Sequence, residues 1–164
     1  MKFLVAVLIL LVVLLLPISA ANSARLPSLT TIQKHMLVKA DFIGGPRLAA
    51  IIYQESSACY QVHSDLDPLA CGCGGTHAAT ASYVVGSEVA CEFLNIDWDF
   101  SIRVANLYLA KCTELFGYIP ALSCYNVGIP KAKTMTLKQL LNTDYLQTIE
   151  HRMSELRRLP KDTE

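Results

Sequence analysis

The stretch GGPRLAAIIYQESS, residues 44–57, decides how the rest of the chain is read. Gly44 and Gly45 interrupt any helix arriving from the N-terminal side, and Pro46 suits the first turn of a new one, where its missing N–H costs nothing. Leu48, Ile51 and Ile52 then recur at helical spacing, and Glu55 falls close to the helix end, one turn beyond the two isoleucines. If that face is buried, desolvation disfavours the carboxylate, and the negative end of the helix dipole acts in the same direction. Both effects raise its pKa. A solitary helix glutamate is ordinarily a solvated surface group, so the neighbouring sequence has to carry any stronger reading.

Upstream, Ser28 and Thr30 are candidate caps for a helix with Ile32, Met36 and Leu37 on its apolar face, running to about Lys39. Downstream, Ala58 to Gly75 holds closely spaced cysteines, Pro68 and several glycines; it reads as an ordered loop with at most a small ribbon. Helical spacing returns from Ala78 to Val85 and again from Trp98 to Phe116, where Ile102, Ala105, Leu109, Cys112 and Phe116 form a stripe that Gly117 ends. A short helix is expected from Pro120 to Tyr125. Thr143 is placed to cap a last one bearing Leu146, Ile149, Met153 and Leu156. Val84 and Val85 are the main β-branched pair beyond the N-terminal segment, so the expected fold is mainly α, one domain with a Cys-rich loop and little β.

The 164 residues suit one domain, and 14 basic side chains balance 14 acidic ones with no basic run, which argues against nucleic acid as a partner. Lys2, the apolar run Phe3 to Leu16, Pro17 and the small residues Ser19, Ala20 and Ala21 follow the order of a signal peptide. Residues 1–21 are therefore expected to direct export to the periplasm or the medium, with 22–164 forming the domain; a retained segment would tether the chain to a membrane. Six cysteines in an exported chain point to a disulfide framework. Cys112 and Cys124, near facing ends of two predicted helices, are the preferred pair, and the others stay unassigned. The rival is a metal site drawn from Cys59, His63, Cys71, Cys73 and His77, but these lack paired C-x-x-C spacing, so no metal and no cofactor is expected.

Three separated patches stand in order: LAAIIYQESS ending at Glu55-Ser56-Ser57, the glycine-rich GCGGTHAATA from Gly72 to Ala81, and ALSCYNVG from Ala121 to Gly128. Together they resemble the lytic transglycosylases of the goose-type lysozyme superfamily, which implies a lysozyme-like domain with the Cys-rich loop at its active site. Members of that family have an apolar helix ending in Glu-Ser-Ser, a Gly-Leu-Met-Gln-x-x-Pro-x-Thr-Ala loop, and later Ala-Leu-x-x-Tyr-Asn-x-Gly. Between them, Ser101-Ile102 to Tyr108-Leu109 looks like the family's Asn-Ile-x-x-Gly-x-x-Tyr-Leu helix, and Tyr145-Leu146 stands where it has a late Tyr-Val. The likeness covers roughly residues 40–156. Three departures stand out. Counting back from Thr80-Ala81, Gly75 replaces the loop Gln; Ser101 replaces the helix Asn; and the Cys-bearing spacer from Ser57 to Gly72 is not the usual one.

The resemblance implies a peptidoglycan-cleaving enzyme in which Glu55 protonates the glycosidic oxygen and then, as a base, helps the muramic acid 6-hydroxyl close onto C1. It also implies a Tyr125 hydroxyl directed at the acid, a sugar cleft lined by Tyr125 and Asn126, and a Ser57 that positions the loop behind Glu55. Gly75, Thr76 and His77 are the remaining substrate-side candidates. Hydrolysis needs a water or nucleophile on the opposite face, usually with a second carboxylate, and Asp65 and Asp67 are the candidates for that role. A hydrolytic goose-type lysozyme is thus the near alternative. An inactive glycan-binding or scaffold member is the more distant one; peptidoglycan strands are the expected partner, with a secretion or conjugation assembly as a further candidate.

Overall fold

A computed structural model describes residues 28–62 and 67–158, so the expected signal peptide lies outside the described residues. The fold is mainly helical with one very small antiparallel ribbon, as the apolar spacing predicts. Helix α1 spans Thr31–Ser56 and is two arms joined at a kink, because Gly44 and Gly45 depart from helical φ and ψ and Pro46 opens the second arm. Its first arm continues beyond Lys39, the expected end, to the glycine pair. Thr30 caps it in a reciprocal box with Gln33: each side chain satisfies the other's backbone N–H. Leu48, Ile51 and Ile52 are wholly buried on the second arm, each contributing roughly 1.5–3 kcal/mol by leaving water.

Beyond α1 come the strands β1 (Ala70–Cys71) and β2 (Thr76–His77), paired Cys71 to Thr76 and Ala70 to His77. Next are α2 (Ala78–Val85), α3 (Cys91–Ile96) and α4 (Trp98–Phe116), followed by α5 (Pro120–Val127). The one-turn helices α6 (Ile129–Ala132) and α7 (Leu137–Leu140) lead to α8 (Asp144–Leu156). Asp97 caps α4 by accepting from the Phe100 N–H, Gly117 ends it, and Thr143 caps α8. The main core gathers α1, α4, α5 and α8, with Ile102, Ala105, Leu122 and Ile149 among its buried members. A smaller cluster of Cys71, Ala81, Val89, Leu94 and Val104 seats the ribbon on α2, α3 and α4. Helix α3 is an element the apolar pattern did not announce; six residues are too few to display a helical period. Among the described residues no helix is long and apolar enough to cross a membrane.

All six cysteines are paired: Cys59–Cys73, Cys71–Cys91 and Cys112–Cys124. The last is the pair expected from the facing ends of two helices, here α4 and α5. Cys59, Cys71 and Cys73 are consumed in disulfides, which removes the thiolate donors from the metal-site alternative.

Candidate functional site

Glu55 is the penultimate residue of α1 and is only partly exposed. The Tyr145 hydroxyl, from the first turn of α8, donates to its Oε1 at 2.5 Å. Burial raises the Glu55 pKa, and this hydrogen bond works against it by favouring the charged form. Tyr145 in turn is pushed well above the usual phenol value, by burial first and then by the adjacent carboxylate, so it stays a proton donor. Since Oε1 is occupied as an acceptor, a proton held by this carboxyl resides on Oε2.

What lies beside Oε2 is the backbone of the Cys-rich loop. A Cβ on Gly75 would stand 2.8 Å from Oε2, and Gly75 has φ +59°, so the turn accepts glycine on two grounds. The family-type Gln at this position would drive its stem into the acid. The departure at Gly75 therefore goes with a loop that lies directly against Glu55 and supplies backbone where an amide side chain was expected.

Several bonds hold that loop in place. The Ser56 hydroxyl donates to the Cys73 carbonyl at 2.7 Å and accepts from the Cys59 N–H at 2.8 Å. Ser101 accepts from the Cys73 N–H at 2.8 Å, and Asn95 accepts from the Gly72 N–H at 2.7 Å. The Tyr125 hydroxyl donates to the Gly74 carbonyl at 2.8 Å. Cys59–Cys73 adds a covalent tie directly behind the acid, where Ser57, Ala58 and Cys59 all have positive φ. Three successive non-glycine residues in that region are costly, and the disulfide and the Ser56 bonds keep them there.

Two expected roles pass to neighbours. The hydroxyl that ties the loop to the helix belongs to Ser56, not Ser57; Ser57 is the left-handed cap residue, and its carbonyl accepts from Gln33. The tyrosine bonded to Glu55 is Tyr145, whereas the Tyr125 hydroxyl is spent on Gly74. Tyr125 remains close enough for the Glu55 charge to help raise its pKa, after burial, and its ring packs at 5.0 Å against Tyr108. Ser101, departing from the family Asn, is buried and supports the loop backbone.

The other candidates divide. Thr76 is buried on β2 with its hydroxyl 3.5 Å from that of Tyr125. His77 is exposed at the end of the ribbon, and its Nε2 lies 2.8 Å from Asp67 Oδ2. Asp67 is half-exposed, its pKa lowered chiefly by that His77 contact. Asn126 is exposed near the end of α5, and Asp65 lies outside the described residues. Cavities of about 480 and 350 Å³ open elsewhere on the surface, and Glu55 lines neither.

The residue that reading by sequence left out of the site is Tyr145. The signal lay in its match to the family's late Tyr-Val, and its placement follows from local capping. Thr143 caps α8, and its hydroxyl meets that of Ser123 on α5 at 2.5 Å. No family model, curated protein or solved structure matches the chain.

Proposed function

We propose that the protein is a peptidoglycan lytic transglycosylase with Glu55 as its sole acid and base. The observation that carries this reading is a single carboxyl whose pKa burial raises, held by Tyr145 at one oxygen and faced by the Gly75 turn at the other. A sugar oxygen leaves poorly without a proton, and a carboxyl whose pKa burial raises holds one to higher pH than an ordinary carboxyl. On this reading Oε2 gives its proton to the leaving glycosidic oxygen. The resulting carboxylate, stabilised by the Tyr145 hydroxyl, then takes the proton of the muramic acid 6-hydroxyl as that oxygen closes onto C1. Atoms balance without water, and the product ends in a 1,6-anhydro ring.

Among the described residues, the state of Asp67 favours one-carboxylate chemistry over hydrolysis: it is half-exposed and engaged with His77. The test is digestion of purified peptidoglycan by the native chain and by Glu55→Gln, with the muropeptide ends identified by mass. Anhydro ends that disappear in Glu55→Gln, with a loss of about 10²–10⁴-fold, support the proposal. Reducing ends would shift the assignment to a hydrolytic muramidase, and absence of cleavage by the native chain would leave a glycan-binding scaffold. Export and peptidoglycan strands as the partner accompany this proposal.

A further inference from the structure

The second arm of α1 carries a buried charge that the Glu55 chemistry does not use. Arg47 is 6% exposed, and its Nε and Nη2 have no hydrogen-bond partner among the described residues. No carboxylate pairs with it there. Its guanidinium lies 3.8 Å from the centroid of the Tyr118 ring, which covers one face of the planar group. Burial pulls the Arg47 pKa down, with Tyr118 acting in the opposite sense, yet a guanidinium stays charged in any protein environment. An unpaired buried cation is among the costlier features a fold can retain, whereas a well-packed apolar side chain of similar size would be neutral or stabilising. Keeping arginine here therefore calls for an anion that binds at least part of the time.

The geometry of the unsatisfied edge narrows the anion. Nε and Nη2 present two parallel N–H groups, the fork that receives both oxygens of a carboxylate. Tyr118, stacked on the guanidinium face, is 66% exposed and follows Gly117, whose φ is +86°. We propose that Arg47 anchors a carboxylate-binding site closed by Tyr118, and that its occupant is a carboxylate borne by a muramyl-linked peptide. The choice of occupant rests on the cell-wall reading above: Arg47 lies eight residues before Glu55 on the same helical arm, or about 12 Å along its axis, a length that about four extended residues of a peptide substituent would span. The site would thus distinguish peptide-bearing from bare glycan.

The test measures binding calorimetrically in the native chain and each variant during titration with N-acetylmuramyl-L-alanyl-D-isoglutamine, sodium acetate or sodium chloride at matched ionic strength, and follows the Arg47 Nε–H resonance of the ¹⁵N-labelled native chain in the same titrations. A saturable shift with the muramyl dipeptide is expected, with at least tenfold weaker binding by Arg47→Lys, which loses the fork, and none by Arg47→Met. Tyr118→Ala alters an exposed side chain and keeps the proposal testable should Arg47→Met fail to fold; it is expected to bind several-fold tighter, because the closed state no longer competes. Saturation by acetate alone would support the carboxylate site but give it to a free acid. Absence of a saturable shift with either carboxylate, an equal response to chloride, or unchanged binding by Arg47→Met would overturn the site. Failure here is separable from failure of the cleavage reading. A chain that cuts peptidoglycan without an Arg47 response loses only this inference, and one that binds the dipeptide but cuts nothing loses only the other.

Discussion

Cys59–Cys73 and Cys112–Cys124 close stretches of nearly equal length, 14 and 12 residues apart, in regions built on opposite principles. Cys112 and Cys124 join α4 and α5, helices already ordered by an apolar stripe and fully buried neighbours. Around Cys59 and Cys73 there is little periodic structure. Order comes instead from single hydrogen bonds and from a backbone held at positive φ beside Glu55. A repetitive region spreads its stabilisation over many replaceable contacts, whereas the loop concentrates it in a few that cannot be exchanged. The acid sits on the boundary, at the last turn of a helix and under the loop.

The largest expected effect comes from opening each disulfide in turn. Chain entropy assigns both closures about 3 kcal/mol, so Cys59→Ala/Cys73→Ala and Cys112→Ala/Cys124→Ala should lose comparable stability in urea titrations. Relief of the strained Ser57–Cys59 backbone would make the first loss somewhat smaller. Activity is where they should part. On the cleavage reading, freeing the loop should lower muropeptide release about a hundredfold, because a misplaced catalytic group is penalised that strongly, while freeing α4 from α5 should leave it within a few-fold. Equal losses of activity would erase the distinction between the regions.

Adjacent serines provide the next test. Ser56→Ala leaves the buried Cys59 N–H and Cys73 carbonyl without their partner, a cost of about 1–3 kcal/mol, and lets the loop drift from Glu55. Ser57→Ala removes a half-buried hydroxyl and is expected to stay within about 0.5 kcal/mol with activity retained. Melting curves and digestion rates on both variants check this. A larger effect at Ser57 would return the loop-positioning role to it.

Helices with several turns were legible because period is a property of many residues at once: Trp98–Phe116 and the Thr143-capped helix both stand where their apolar spacing puts them. Cys112–Cys124 was legible for the same reason, since two consecutive helices joined by a short turn bring their ends together. The loop offered no such redundancy. Which of Cys59, Cys71, Cys73 and Cys91 pair, and whether Ser56 or Ser57 faces inward, depends on the backbone path after the helix end, and composition does not specify that path. Tyr145 was visible as a pattern match but not as the partner of an acid 90 residues away. Gly75 read as a lost amide; only beside the Glu55 carboxylate does it become a steric requirement.

Two glycines sharpen the comparison further. Gly75 and Gly45 both have positive φ, so alanine at either should cost about 1–3 kcal/mol in backbone strain. A Cβ at Gly45 meets nothing within 4 Å, while at Gly75 it presses on Oε2. On the cleavage reading, Gly75→Ala should therefore cut activity roughly tenfold beyond what its melting temperature explains, and Gly45→Ala should not. Digestion rates measured well below both melting temperatures separate strain from obstruction.

The smallest effect concerns pH and asks whether α8 or the loop governs the acid. Tyr145→Phe deletes the bond that opposes burial, so the Glu55 pKa should rise further from its ordinary value of 4.5. On the cleavage reading protonated Glu55 starts the reaction, and the alkaline limb of kcat/KM should move to higher pH, a change that a purely packing role for Tyr145 would not produce. Stability runs the other way. A carboxyl whose folded pKa is raised contributes fully below its unfolded value, and that contribution is lost as pH climbs through the folded value. Glu55→Gln carries no such proton, so its melting temperature should gain on the native chain as pH rises above about 4.5. Tyr145→Phe should extend that interval upward. An alkaline limb unmoved in Tyr145→Phe but displaced in Gly75→Ala would assign control of the carboxyl to the loop alone.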